Sequence, residues 1–467
     1  MSQLSSFQPS EQAMNADVPP MLYFDHAATT PLSQTALNAM LPWLEGGNRS
    51  CGNPSSLHTL GQQAKQAIDG ARQSIQHDLG ISDGRVVFTS GATESINTVI
   101  RGLIEQWCMD RPGEMPHLIL SSIEHEAALE IAQYFQRQKW SELTLLPVDE
   151  WGRVSPEALK QAIQPNTALV SIIWGNNETG VLQDVASLGQ ICREAKVPFH
   201  VDAVQVIGKH PVEFDSPALK TVDFASWSAH KCYGPKGVGG LYISNSAPPF
   251  KPFLWGGGQE GNQRSGTENV AGIVGMAASL REATEQLDMR RNTLIHLEQT
   301  LRHSLKDAFK PLIERGVVQL YFNSEASKSE SKSKSEPELE SNLKSSVERV
   351  PGIVHVSIAP TTPNTYLQGE AMVLRLNLMG IAASSGSACH SAVIEPSRIL
   401  RALMGKLEGA LTPVEYARAM GTIRFSLSHT QTPEQMEQAA NALVKVAEKL
   451  VRKPMPYDGA VLVTAEA

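Results

Sequence analysis

Between Arg85 and about Ile243 the chain alternates short apolar runs with longer segments of helical or loop character. Seven of the runs read as strands: Val86–Thr89, Leu118–Ser121, Leu143–Val148, Ala168–Trp174, Phe199–Val201, Val222–Ser226 and Val238–Ile243. Strands separated by helical segments predict an α/β fold with a mostly parallel seven-stranded sheet covered by helices on both faces. Upstream, a helix is expected near Gln34–Leu44. Ala64, Ile68, Ala71, Ile75 and Leu79 mark the inner face of a second helix over 59–79. Beyond about Leu287 the pattern changes. Ordered segments recur at Ile353–Ile358, Glu370–Leu378 and Ile423–Leu427, and a last helix opens with Thr432 as N-cap, Pro433 at the first turn and Gln435 three residues on. This half predicts a smaller α+β domain packed on the first.

The expected organisation is a polar tail over 1–20 and a large domain over 21–286, whose first residues can pack with the small domain. A small domain then covers 287–455, and a tail covers 456–467. Within the small domain, residues 323–348 form a Ser/Lys/Glu-rich run without apolar periodicity, expected to be a solvated, disordered insertion. There is no internal repeat. At 467 residues, 41% hydrophobic and 19% charged, the chain is globular in composition. A net charge of −8 argues against nucleic acid or an anionic membrane as the main partner. No apolar run approaches the ~20 residues that a membrane-crossing helix needs. The first Lys or Arg is Arg49, so no signal or transit pattern is expected and a cytoplasmic location is. The five cysteines, Cys51, Cys108, Cys192, Cys232 and Cys389, form no C-x-x-C pair, so neither a disulfide framework nor a structural metal site is expected.

Candidate chemistry gathers where the strands end. Ligands of such sheets bind beyond the carboxyl ends of the strands, and polar clusters stand there: Gly91-Ala-Thr93, Glu124-His125, Asn176-Asn-Glu178, Asp202 to Gln205, and Ser228 to Lys231. Lys231 closes Ser228-Ala-His-Lys231, just before a Gly-Pro turn. Asp202 ends the apolar run Val197–Val201. A strand-end lysine with a strand-end aspartate is what pyridoxal phosphate needs, an amine for a Schiff base and a carboxylate for the pyridine nitrogen. Thr89-Ser-Gly-Ala-Thr-Glu-Ser95 joins a strand to a helix and could cup a phosphate with Ser228 and His230. His125 could stack on a ring and pass protons, or could be a structural histidine. Cys389 lies among tiny residues in Ala382–Ser391, a composition suited to an accessible nucleophilic thiol. Arg424, inside the apolar run Thr422–Leu427, calls for a carboxylate partner, from the protein or from a substrate.

Taken together, these motifs resemble the cysteine desulfurases, pyridoxal-phosphate enzymes of the class V aminotransferase group. The resemblance runs from about Tyr23 to Leu450, apart from the insertion and a longer connection near Lys406–Met420. It is carried by Asp25-His-Ala-Ala-Thr-Thr30, Gly52-Asn-Pro-Ser55, Thr89-Ser-Gly-Ala-Thr-Glu94, Glu124-His125, Asn176-Asn-Glu-Thr-Gly180 and His200-Val-Asp-Ala-Val-Gln205. Ser228-Ala-His-Lys231, Tyr233-Gly-Pro-Lys-Gly237, Arg264-Ser-Gly-Thr267, Ser384-Ser-Gly-Ser-Ala-Cys389 and Ile423-Arg-Phe-Ser426 complete it.

The resemblance implies the fold type I architecture of such enzymes and a role for each residue. Lys231 would hold the cofactor as a Schiff base, Asp202 would bond the ring nitrogen, Gln205 the ring hydroxyl, and His125 would lie over the ring. Ala92, Thr93, Ser228 and His230 would hold the phosphate, with Thr267 reaching in from a second subunit of a homodimer. Asn177 would contact cofactor and substrate, Arg424 would bind the substrate carboxylate, and Cys389 would take the sulfur as a persulfide. The implied reaction converts L-cysteine to L-alanine and hands sulfur to an acceptor protein such as an iron–sulfur scaffold. An Ala-Cys-His-Ser run also occurs in selenocysteine lyases, which keeps that activity open beside the first. Another class V aminotransferase or decarboxylase, with Cys389 incidental, and a catalytically silent scaffold are the remaining readings.

Overall fold

The computed structural model describes residues 21–47, 49–323, 348–386 and 395–457. The tail 1–20, residues 324–347 of the Ser/Lys/Glu-rich run, the segment 387–394 with Cys389, and residues 458–467 lie outside them. The strands are β1 (Leu22–Tyr23), β2 (Gly84–Thr89), β3 (His117–Ser121), β4 (Glu142–Leu146), β5 (Thr167–Ile173), β6 (Phe199–Asp202) and β7 (Phe224–Ser228). After them come β8 (Gly239–Ser244), β9 (Val318–Phe322), β10 (Ile353–Pro360), β11 (Thr365–Tyr366), β12 (Ile381–Ala382), β13 (Thr422–Ser426) and β14 (Met455–Pro456).

The main sheet has seven strands in the order β2-β8-β7-β6-β5-β3-β4. From β7 to β4 every pairing is parallel, and β8 runs antiparallel to both its neighbours. Six strands therefore point the same way, and Thr89, Ser121, Ile173, Asp202 and Ser228 all end on one edge. The expected mostly parallel seven-stranded sheet is what the chain forms. Its strands β3, β5, β6 and β7 are buried along their whole length, as a sheet sandwiched between helices requires. Each strand's bounds differ from the expected ones by one or two residues, and one of these shifts bears on the site. The run expected to end at Ser226 continues to Ser228, because Trp227 and Ser228 pair with Gly240 and Gly239 of β8. This register carries Ser228 to the rim where the ligand edge begins.

The pairing also demands glycine opposite the tryptophan. A Cβ at Gly240 would lie 2.1 Å from the Trp227 ring, one of the largest fully buried side chains. Gly240→Ala is expected to destabilise the protein by about 2 kcal/mol or more, since a packed core gives way only by shifting its neighbours. A urea midpoint within error of the wild type would contradict this.

A second sheet, β13-β10-β9, is antiparallel, and its inner face packs with Leu297, Leu301 and Leu305 of the helix Leu287–Glu314 and with Leu443 of the helix Pro433–Leu450. The last helix carries the expected capping box, with Gln435 Oε1 accepting the Thr432 amide at 3.2 Å. The N-terminal strand crosses over to this half. β1 pairs with β12, and Phe24 is fully buried edge-to-face against Phe425, 5.7 Å between ring centres. That crossing places the turn Asp25–Thr30 between the two sheets, over the ligand edge of the larger one.

Candidate active site

The polar strand ends of the main sheet surround a cavity of about 390 Å³, within the range of small-molecule and cofactor sites. Its wall brings together most of the residues singled out above. Ala92 and Thr93 come from the helix after β2, His125 from the loop after β3, Asn177 from the loop after β5, and Asp202 and Gln205 from β6 and its following turn. Ser228, His230 and Lys231 follow β7, and Arg424 enters from β13. Two candidates stand apart. Thr267 is exposed in the loop before the helix Val270–Glu285 and does not line the cavity, and Cys389 lies outside the described residues.

Lys231 ends a single 3-10 turn, Ala229–Lys231. Its Nζ donates to the carbonyls of Ala27 and Ala28, 2.7 Å each. Burial pushes the amine down to about 8, and the Arg424 charge adds to the effect, while Asp202 and Asp25 oppose it. An amine in that range is far more available as a neutral nucleophile at neutral pH than an ordinary lysine. Asp202 is only 4% exposed, and its carboxylate receives the Val204 amide at 2.9 Å, its one hydrogen bond among the described residues. Burial raises its pKa, with His125 and Lys231 pulling the other way. A carboxylate so poorly solvated calls for a cation, and a protonated ring nitrogen would supply one.

At the opposite end of the cavity the helix Ala92–Asp110 begins, and its N-terminus is a natural anion site. The Ala92 amide donates to Ser228 Oγ at 2.7 Å, so the Ser228 hydroxyl keeps its own proton to give to a ligand. His230 is anchored through Nδ1 to Thr29 Oγ1 at 3.1 Å, and burial with the nearby Lys231 pushes it down to about 4. The donor set is thus an anion cradle at one end, a buried carboxylate at the other and an activated amine between. Those residues fit pyridoxal phosphate.

His125 does not extend the strand before it. It caps the helix Glu126–Arg137, with Nδ1 accepting the Ala127 amide at 3.0 Å, which leaves the proton on Nε2. Arg424 spans the two sheets. Its Nη2 donates to Asp25 Oδ1 at 2.7 Å and its Nη1 to the Asn177 carbonyl at 3.0 Å, while Nε is buried with no partner among the described residues. Ser384 Oγ also donates to Asp25 Oδ1, at 3.0 Å. Sequence reasoning left the partner of Arg424 open and passed over Asp25 and Lys209. Asp25 stands 399 positions from the arginine it pairs with. Lys209 gave a usable signal, since it lies four residues after Gln205 and donates to its Oε1 at 2.8 Å.

Burial around this edge has a pH consequence. His26, His200, His230, His355 and His429 are pushed to about 4, 3, 4, 3 and 4, in each case chiefly by desolvation. Unfolded histidines titrate near ~6.5, so below that pH the unfolded chain takes up protons that the folded chain refuses. Four buried carboxyls act in the opposite sense, Glu124 raised to about 8, Glu178 to about 7, and Asp202 and Asp223 raised as well. The five histidines, joined by His117 and His210, which burial also lowers, outnumber them. The unfolding free energy of the cofactor-free protein is expected to fall as pH drops from 6.5 towards 5. Urea titrations at intervals across that window check it, and a flat or rising stability would contradict it.

Comparison with known proteins gives a consistent result. The model of the family "Aminotransferase class-V" matches residues 22–330. The chain is 37% identical over 436 residues to a protein of Dictyoglomus turgidum named cysteine desulfurase IscS, covering 93% of this chain and 96% of that one. A protein of the same name from Methanosarcina thermophila is 34% identical over 92% of both chains. Among solved structures, a NifS-like protein superposes with a TM-score of 0.72 at 30% identity, covering 92% of this chain and all of that one. A structure described as SspA in complex with cysteine gives 0.64 at 30% identity, over 88% of this chain and 99% of the other.

Proposed function

The chain belongs to the class V aminotransferase family and, within it, to the cysteine desulfurases, and from that premise we propose the following roles for its residues in converting L-cysteine to L-alanine. The observation that carries the proposal is the buried Asp202 and the activated Lys231 standing at the ends of the adjacent strands β6 and β7, in the wall of one cavity. Pyridoxal phosphate, when bound, supplies an electron sink for negative charge at the substrate Cα.

The protein's own groups do the rest. Lys231 Nζ would hold the cofactor and, when free of it, would hold and move the proton at the substrate Cα. Asp202 would keep a proton on the ring nitrogen. Ala92, Thr93, Ser228 and His230 would hold the phosphate, Gln205 would bond the ring oxygen, and His125 Nε2 would be the proton donor over the cavity. Arg424 and Asn177 orient the substrate carboxylate. The Cys389 thiolate attacks the substrate sulfur and the Cβ–S bond breaks, so L-cysteine and the Cys389 thiol become alanine and a persulfide on Cys389. That sulfur passes to an acceptor thiol, for which an iron–sulfur scaffold protein is our candidate.

Thr267, exposed and away from its own cavity, is proposed to complete the site of a second copy in a homodimer. We read residues 21–286 and 287–455 as the two domains that enclose the site. Exposed thiols such as Cys51 and Cys108 suit a reducing cytoplasm. Among the described residues no helix is long and apolar enough to cross a membrane.

The test is to supply the protein with pyridoxal phosphate and L-cysteine. Equimolar alanine and sulfide are expected when a reductant is present, and one added sulfur on the Cys389 peptide by mass spectrometry when it is not. Turnover of selenocysteine with rejection of cysteine would overturn the choice of substrate, and alanine without any sulfur on Cys389 would overturn the role of that thiol.

A further inference from the structure

A second lysine reaches the site from behind. Lys209 ends the turn after β6, and its Nζ donates to Gln205 Oε1 at 2.8 Å. Gln205, 2% exposed, passes the contact on, with Nε2 donating to the Ala27 carbonyl at 2.9 Å. That same carbonyl accepts the Lys231 amine at 2.7 Å. An unbroken path of three hydrogen bonds therefore joins Lys209 to Lys231 through Gln205 and the backbone of the Asp25–Thr30 turn.

The chemistry of the path has a direction. An ammonium only donates, whereas a glutamine amide can present either its oxygen or its NH2 group. With Lys209 on one side, the oxygen is taken and the NH2 group must face Ala27 and the cavity. One of its two protons goes to Ala27 and the other stays available. We infer that Lys209 is a positioning residue, which pins the Gln205 amide so that an N–H, and not a carbonyl oxygen, faces the cofactor's ring oxygen. The inference rests on the reading of Lys231 as the lysine that carries the cofactor.

A donated N–H draws charge from the ring oxygen and weakens the hold of that oxygen on a proton at Lys231 Nζ. The positive charge of Lys209 acts in the same sense, by repulsion. The charged and titratable groups facing Lys209 are Lys231, Cys232, Arg424, His26 and His230. Burial, followed by the Lys231 charge, pushes Lys209 itself down to about 7. Removing the Lys209 amine lets the Gln205 amide turn over and withdraws the repulsion, so both changes make the proton at Lys231 Nζ harder to lose.

The experiment titrates the visible absorbance of the holoenzyme with pH, without substrate. In Lys209→Met the midpoint is expected to rise by about one pH unit. Lys209→Arg, which keeps charge and donors, is expected to stay close to the wild type. Lys209→Gln, whose amide can donate or accept, is expected to shift in the same direction as Lys209→Met by a smaller amount, and it serves if Lys209→Met does not fold. In a Gln205→Leu background, Lys209→Met is expected to add much less than it does alone, because the two residues act as one unit. An unmoved midpoint in folded, cofactor-loaded Lys209→Met, or in Lys209→Gln where Lys209→Met does not fold, overturns the inference, and so does a full-sized shift in the Gln205→Leu background. Borohydride fixation on each variant keeps the two readings distinguishable. Cofactor on another lysine defeats the reading of the site, whereas cofactor on Lys231 with an unmoved midpoint defeats only the role of Lys209.

Discussion

Lys231→Ala is expected to lower kcat for L-cysteine by at least about 10³-fold, the scale of losing both the covalent anchor and the general base in one side chain. The fold is expected to survive. Lys231 stands on a short turn in the wall of the cavity, and among the described residues its amine bonds only the carbonyls of Ala27 and Ala28. The Ala27 carbonyl keeps a second donor, Gln205 Nε2, and the cavity gives water access to Ala28. Loss of the lysine therefore strands no buried acceptor. Far-ultraviolet circular dichroism and a thermal melt of the cofactor-free protein separate loss of chemistry from loss of fold. A variant that keeps more than a tenth of wild-type turnover would contradict the role assigned to the amine.

Arg424→Leu is the second large effect, with kcat/KM for L-cysteine expected to fall by about 10²-fold or more. Truncating one member of a buried, hydrogen-bonded charge pair costs about 2–5 kcal/mol, much of it from the partner left behind. The partner here is Asp25, which also receives Ser384 at the start of the segment leading to Cys389. The guanidinium spends Nη1 on the Asn177 carbonyl and Nη2 on Asp25, while Nε is buried and unpaired among the described residues. A buried donor without a partner is costly unless a ligand satisfies it, and the carboxylate of an amino acid does so. Lysine at this position keeps a charge but cannot serve two acceptors and a substrate with a fixed planar fork, so Arg424→Lys is expected to fall between. KM should carry most of the change. A variant with unchanged KM would show that Arg424 only ties the two sheets together.

Which parts of this were legible beforehand follows from what periodicity reports. A fully buried parallel strand announces itself as an apolar run, so the seven strands could be read along with the polar residues at their ends. Asp202 and Lys231 were visible for the same reason, as charges that close such runs. Pairing across the sheet was not visible, and it is pairing with Gly239 and Gly240 that extends β7 to Ser228 and sets a bare glycine against Trp227. Contacts between distant segments were equally hidden. Arg424 announced that it needed a carboxylate, but only the crossing of β1 to β12 shows that Asp25 provides it. Lys209 offered only its spacing, four residues after Gln205, and nothing in a linear reading says that its amine is turned inwards onto Gln205. His125 stands among the polar strand ends in a linear reading, whereas its ring nitrogen takes the second amide of the next helix.

The central claim is that one amine carries the cofactor. Reducing the pyridoxal-phosphate-loaded protein with borohydride, digesting it and sequencing the peptides by mass spectrometry tests it most directly. The account predicts the pyridoxyl mass on Lys231 alone, in the peptide that contains Ser228-Ala-His-Lys231. Label on Lys209, on any other lysine, or on none would contradict it.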